Sequence, residues 1–257
     1  MLTVISPAKS LDMSPTALEP TEPAFQADAI RLARTARNLT LGQLKALMDI
    51  SDDLARLNRD RFRAFQDEPS AEVTKPAVLA FNGDTYLGLE AKTLDPEDID
   101  WAQDRLCILS GLYGLLRPRD AIQPYRLEMG TRLKTRRGGN LYDYWGDTIA
   151  KTLNARAAEV GATTLLNCAS QEYFTAAARK SLKLRVVTPQ FLEVKDGRAR
   201  MVSFFAKRAR GAMARFVIEN RITDPEAILA FGAGGYAYDP AQSEPDRPVF
   251  LRDYPIA

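Results

Sequence analysis

Apolar and polar positions follow two rhythms along this chain. Leu2-Thr-Val-Ile5 is a short apolar run closed by Ser6-Pro7, which predicts a buried strand leading into a turn. The signature returns at Val78-Leu-Ala-Phe81, Leu106-Cys-Ile-Leu109 and Thr163-Thr-Leu-Leu-Asn-Cys168, each read as a buried strand with a loop at its carboxyl end. Elsewhere the period is helical. After a proline-bearing loop over residues 14–23, Ala29, Leu32, Ala33 and Ala36 share one face and Arg31, Arg34 and Arg37 the other, predicting a helix from Pro23 to Asn38. Thr40 caps a helix over Leu41 to Met48, and Ser51-Asp-Asp53 opens another to about Phe65, so residues 40–66 predict a protruding helical hairpin. On its second helix Arg56, Arg59 and Arg63 form one stripe opposite Leu54, Leu57 and Phe62.

Asp95-Pro-Glu97 opens a further helix and Ser170 caps one after residue 168. Phe191 to Val194 and Met201 to Ala206 flank Lys195-Asp-Gly197, which predicts a tight hairpin. Lys207 to Arg221 reads as an amphipathic helix with Ala209, Met213, Phe216 and Ile218 inward, and the Gly- and Pro-bearing tail as a surface wrap with at most short strands. Interleaved strands and helices predict an α/β fold, with α+β as the alternative. We expect one compact domain over residues 1–257, a mixed central sheet flanked by helices.

Composition changes this picture chiefly by exclusion. The 257 residues include no histidine, which removes Ser-His-Asp triads, Cys-His dyads and histidine-based metal sites. Two separated cysteines, Cys107 and Cys168, are too few for a four-thiolate cluster and form no CxxC pair. No stretch approaches the roughly 20 apolar residues of a membrane span, and the N-terminal run lacks a basic flank, so a cytoplasmic protein is expected. No cofactor and no metal are implied: Asp95, Glu97, Asp98 and Asp100 read as helix N-terminal acids.

Charge is near balance, 35 bases against 33 acids, but unevenly spread. Residues 117–137 carry seven bases against Asp120 and Glu128, and residues 198–221 carry seven against Glu219. Residues 12–28 hold four acids and no base. Arginine supplies 25 of the 35 bases, which favours phosphate and carboxylate recognition. Each basic block reads either as an anion-binding face or as a solvated surface.

Residues 110–130 are richest in candidate chemistry. Gly111 and Gly114 straddle Tyr113 after a strand, while Tyr113 and Tyr125 offer stacking planes and Arg117, Arg119 and Arg126 offer phosphate forks. In the 207–221 helix Lys207, Arg208, Arg210 and Arg215 are the cations, and Gly211 in the helix interior implies close approach of a backbone or ligand. Lys9 after the first strand is either a positioned cation or a surface lysine. Ser6, Glu128, Ser170 and Glu172 complete a possible pocket. Cys168 reads as a buried small hydrophobe in preference to a nucleophile of lowered pKa. No Walker-type phosphate loop and no GxGxxG occurs.

SPAKSLD, ISDDLARLN, FNGDTYLGL, LSGLYGLLRPRDAIQPYRLEMG, LYDYWGD, NCASQEYF and VSFFAKRARGAMARFVIENR, in that order over nearly the whole chain, resemble the YaaA family of bacterial peroxide-stress proteins. That family typically has leucine at position 168 and lysine at position 82, where this chain has Cys168 and Asn82; Met48-Asp-Ile-Ser51 stands in place of the glycines of a helix–hairpin–helix turn. The resemblance implies a compact α/β domain with a helix–hairpin–helix-like element and a positive cleft. It also implies DNA binding and a role in limiting peroxide damage associated with low free iron.

Two functions follow. One is sequence-independent binding of double-stranded or branched DNA by a monomer, through Lys9, Arg56, Arg59, Arg63, Arg117, Arg119, Arg126, Lys207, Arg208, Arg210 and Arg215 with Tyr113 and Tyr125. The other is an enzyme on a nucleotide or similar anion, with Lys, Tyr or Glu as acid and base.

Overall fold

The structure, a computed structural model, describes residues 1–255. Strand β1 (Leu2–Ile5) is buried at every position, as an apolar run covered on both faces must be, and β2 (Ser10–Leu11) follows. In α1 (Gln26–Arg37) the buried residues are the periodic set Ala29, Leu32, Ala33 and Ala36. α2 (Leu41–Met48) starts on a capping box, Thr40 N donating to Gln43 Oε1 at 2.8 Å and Gln43 N to Thr40 Oγ1 at 3.3 Å. Asp49, at φ 50°, turns the chain, and Ser51 Oγ accepts from Leu54 N at 3.4 Å to begin α3 (Asp52–Ala64).

The inward face of α3 differs from the expected one. Ala55, Asn58 and Phe62 are buried, whereas Leu54 and Leu57 are 39% and 45% exposed. Small Ala55 lets α3 lie close, and Asn58 can be buried because its Nδ2 donates to the Leu54 carbonyl at 2.8 Å. Arg37 Nε, donating to the Phe62 carbonyl at 2.9 Å, ties α1 to the end of α3.

After β3 (Lys75–Pro76), the expected strand at Val78 to Phe81 is instead one helical turn, α4 (Ala77–Ala80), running into β4 (Phe81–Asn82). Four apolar residues carry no period that separates a buried strand from a buried turn. α5 (Asp84–Leu89) and α6 (Pro96–Arg105) lead to β5 (Leu106–Ser110), β6 (Gly114–Leu116) and β7 (Ala121–Ile122). Next come α7 (Leu141–Trp145), α8 (Thr148–Glu159), β8 (Thr164–Cys168), α9 (Gln171–Phe174) and β9 (Arg185–Val187).

The hairpin forms at Asp196 and Gly197, whose φ of 52° and 70° suit a primed turn, but its strands are β10 (Gln190–Lys195) and β11 (Arg198–Arg200). Residues 201–206 are therefore not its second strand, and α10 (Ser203–Glu219) begins four residues earlier than expected. The tail carries β12 (Ala237–Tyr238) and β13 (Val249–Asp253); β13 is internal to a sheet, paired with β10 on one side and β12 on the other, and its Phe250 is fully buried.

Two larger sheets result, ordered β6-β5-β1-β8-β9 and β11-β10-β13-β12, within an α/β fold. In the first, β5, β1, β8 and β9 are parallel and β6 closes one edge antiparallel. The chain builds β5 on one side of β1 and later β8 on the other, so the carboxyl ends of β1 and β8 meet where the winding reverses, the place where open α/β sheets accept ligands. Apart from Val249, the buried apolar residues of both sheets belong to one connected core. Among the described residues no helix is long and apolar enough to cross a membrane.

Helix α10 packs across β1 and β8 and crosses α5 at two glycines. A Cβ at Gly211 would overlap the Thr85 carbonyl oxygen, and one at Gly88 would overlap the Arg208 carbonyl oxygen. The interior glycine thus answers to another backbone.

Candidate functional site

Parallel register sets Ile5 beside Cys168, so the residues after them emerge together. Ser6 Oγ accepts from Ser170 N at 2.8 Å, and the two hydroxyls lie 3.4 Å apart. Tyr86, on α5, donates its phenol to the Ser6 carbonyl at 3.2 Å. Three residues on, Lys9 Nζ stands 3.3 Å from Glu128 Oε1. The same oxygen accepts from Arg126 through Nε at 3.1 Å and Nη2 at 2.8 Å. Glu128 Oε2 is buried and has no hydrogen-bond partner among the described residues. Glu172 Oε1 accepts from Gly130 N at 2.9 Å, joining α9 to the end of the 110–130 segment. Burial, with Tyr125, Glu172 and Glu128 nearby, pushes the Tyr173 phenol up, so it stays protonated.

Two further cations border this edge. Arg210, on α10, is largely buried near Cys168, and burial lowers its pKa. Arg61, on α3, is half-buried, its pKa lowered by burial and then by the positive Arg126. Arg61 reaches only Asn58 Oδ1, at 3.5 Å, and neither guanidinium has a carboxylate in ion-pair range among the described residues. Four cations therefore border this edge, and Glu128 is the one carboxylate paired with any of them among the described residues. Sequence reading missed Arg61, although it lies three residues after Asn58 on the margin of the buried 55–58–62 face.

A family model described as "Peroxide stress protein YaaA" matches residues 1–242. The chain belongs to the peroxide stress protein YaaA family. A UPF0246 protein of Ruegeria pomeroyi is 66% identical over 254 residues, covering 99% of each chain. One of Roseobacter denitrificans is 66% identical over 259 residues and the whole of both chains. One of Caulobacter vibrioides is 55% identical over 257 residues, covering 99% of this chain and all of its own. The family assignment carries a role in the peroxide stress response.

In this member of the YaaA family, several sequence candidates have other occupations. Tyr113 and Tyr125 are not stacking surfaces. Tyr113 is fully buried and its hydroxyl accepts from Gln123 N at 3.1 Å, while Tyr125 shares a 2.6 Å hydrogen bond with Ser110 Oγ. Gly111 is closed off by the Leu127 carbonyl and Gly114, at φ 68°, by the Trp145 ring, so the chain's own groups take the approach reserved for a ligand.

Arg117 pairs with buried Asp120 at 3.5 Å, and Arg119 pairs with Asp100. Arg215 Nη1 bonds the Leu89 and Glu90 carbonyls and Thr93 Oγ1, capping the end of α5, and Nη2 pairs with Glu219 at 2.8 Å. On the expected stripe Arg56 pairs with Asp53 at 3.2 Å and Arg59 with Asp60 at 3.1 Å. Arg63, Lys207 and Arg208 are exposed and form no ion pair among the described residues.

The residues that the sequence offers as candidate chemistry thus divide. Lys9 and Arg126 meet at Glu128, and Ser170 pairs with Ser6 at the carboxyl edge; Tyr113 and Tyr125 are buried in the core, Arg117 turns to Asp120, and Lys207 stays exposed. Both thiols are buried, and burial pushes Cys107 and Cys168 up to about 12. Cys168 therefore fills the end of β8 as a small apolar group.

Proposed function

We propose that this protein binds double-stranded or branched DNA through its phosphates, without base readout, in the cytoplasm, and that binding limits peroxide damage. The observation that carries this reading is the cation surplus at the carboxyl edge, where Arg61 and Arg210 lack carboxylates while Lys9 and Arg126 share one. Desolvated guanidiniums without a counter-ion favour an anionic ligand. Exposed Arg63, Lys207 and Arg208 extend the positive surface for a polyanion. The lower free iron implied by the family resemblance is read as indirect, since Asp98 pairs with Arg221 and Asp100 with Arg119.

Fluorescence anisotropy of duplex and four-way DNA across salt concentrations tests the proposal. Four phosphate contacts predict a log Kd against log salt slope of about 4. Binding that ignores salt overturns it.

The second reading, a site for a small anion such as a nucleotide, is favoured by one specific observation. Paired Ser6 and Ser170 stand at the switch point of the parallel sheet. A nucleoside triphosphate that displaces DNA stoichiometrically at low micromolar concentration supports this reading over the first.

A further inference from the structure

The loop before α1 crosses the surface as a proline-bearing strap fixed at its ends. Ser14 N donates to Asp12 Oδ1 at 2.9 Å, and Thr21 donates its hydroxyl to Asp120 Oδ1 at 2.7 Å. Between these anchors residues 15–19 make one hydrogen bond among the described residues, from Leu18 N to Thr16 Oγ1. Beneath the strap lies a cavity of about 600 Å³ with Leu18, Leu79, Leu94 and Ile99 among its walls. That volume is within the range of small-molecule sites.

Lys75 also lines the cavity and is 3% exposed. Its ammonium has three donors, but its partners are Ser14 Oγ at 3.3 Å and Asp12 Oδ1 at 3.5 Å. Asp12 is engaged more closely elsewhere, by Lys92 at 2.6 Å, so two ammoniums share one carboxylate. Arg119, another lining residue, pairs with Asp100, while its Nε is buried without a hydrogen-bond partner among the described residues. Beside the apolar walls, buried Lys75 therefore shares its one carboxylate with Lys92 and keeps an under-used ammonium, while Glu19, exposed on the strap, is the lining's own carboxylate.

We propose that this cavity binds a small amphipathic anion, an apolar carboxylate that pairs with the lining Lys75 and Arg119 side chains and whose hydrocarbon lies under the strap. With Glu19 counted, the cations and carboxylates at the cavity balance, so the selecting charge is the local one at buried Lys75, which suits a monoanion, and Glu19 disfavours a polyanion. The site shares no residue with the Ser6–Ser170 edge and does not rest on DNA binding.

The test uses the full chain with 8-anilinonaphthalene-1-sulfonate as fluorescent probe and octanoate as competitor. We expect saturable one-to-one binding displaced by octanoate and not by equimolar octanol. Lys75→Met keeps the volume and leaves Asp12 to Lys92; it should weaken probe and octanoate at least tenfold. Leu18→Trp fills the space without touching Lys75 and should do the same, which keeps the test decisive should Lys75→Met not fold. No saturable binding, or wild-type affinity in folded Leu18→Trp, overturns the proposal.

Discussion

Replacing Gly211 by alanine sets two magnitudes against each other. In an exposed helix interior Gly→Ala stabilises by about 1 kcal/mol. Here the new Cβ would overlap the Thr85 carbonyl oxygen and lie 2.8 Å from Leu89 N, both backbone atoms of α5, so no side-chain rotation relieves it. Overpacking a close-packed contact costs about 1–3 kcal/mol, and a backbone clash belongs at the upper end. The net expectation is a loss of roughly 2 kcal/mol, or about 4–8 °C in Tm for a chain of this size. Gly88→Ala should behave alike, because its Cβ meets the Arg208 carbonyl. Once one alanine has parted α5 from α10 the second meets less resistance, so the double variant should cost clearly less than the sum. Urea unfolding of the four proteins measures all three quantities. A Gly211→Ala protein more stable than wild type refutes the close-approach argument.

Other consequences are direct. Asp120→Ala removes a buried acceptor of Arg117 N at 2.8 Å and of the Thr21 hydroxyl at 2.7 Å, and should cost roughly 2–3 kcal/mol in the same assay. With both thiols pushed from 9.0 to about 12, the native protein should react with iodoacetamide about a thousandfold more slowly than free cysteine at pH 8, and resist thiol oxidation by peroxide equally. Since the folded pKa is the higher one, the stabilisation this represents is complete below about pH 8.5 and is lost as pH rises towards 12, which denaturant titrations at pH 7 and 10 read out.

Local signals were legible where chemistry is local. Thr40, Ser51 and the Asp-Gly turn each specify their own backbone, and the structure places them as read. The strands β1, β5 and β8 were legible because continuous apolar runs suit a sheet covered on both faces. Errors arose where burial depends on distant partners. Leu54 and Leu57 are apolar yet face outward because Asn58 satisfies its amide within the helix and takes the inner position. Tyr113 and Tyr125 look like recognition aromatics, but Gln123 and Ser110 complete their hydroxyls inside the core. Charge counts misled for the same reason. A basic block cannot reveal that Arg117, Arg119, Arg126 and Arg215 already have carboxylates, nor that Arg61 and Arg210 have none.

That contrast gives the most direct test of where anions are recognised. DNA affinity should be measured by anisotropy over a salt series for two double variants, Arg61→Met with Arg210→Met and Arg56→Ala with Arg59→Ala. The account predicts that the first pair lowers the salt slope by about 2, one phosphate contact per arginine, with a matching loss of affinity. The second pair should bind as wild type, because those arginines already pair with Asp53 and Asp60. A normal slope in the first pair and a reduced one in the second would contradict the account and return recognition to the helical hairpin.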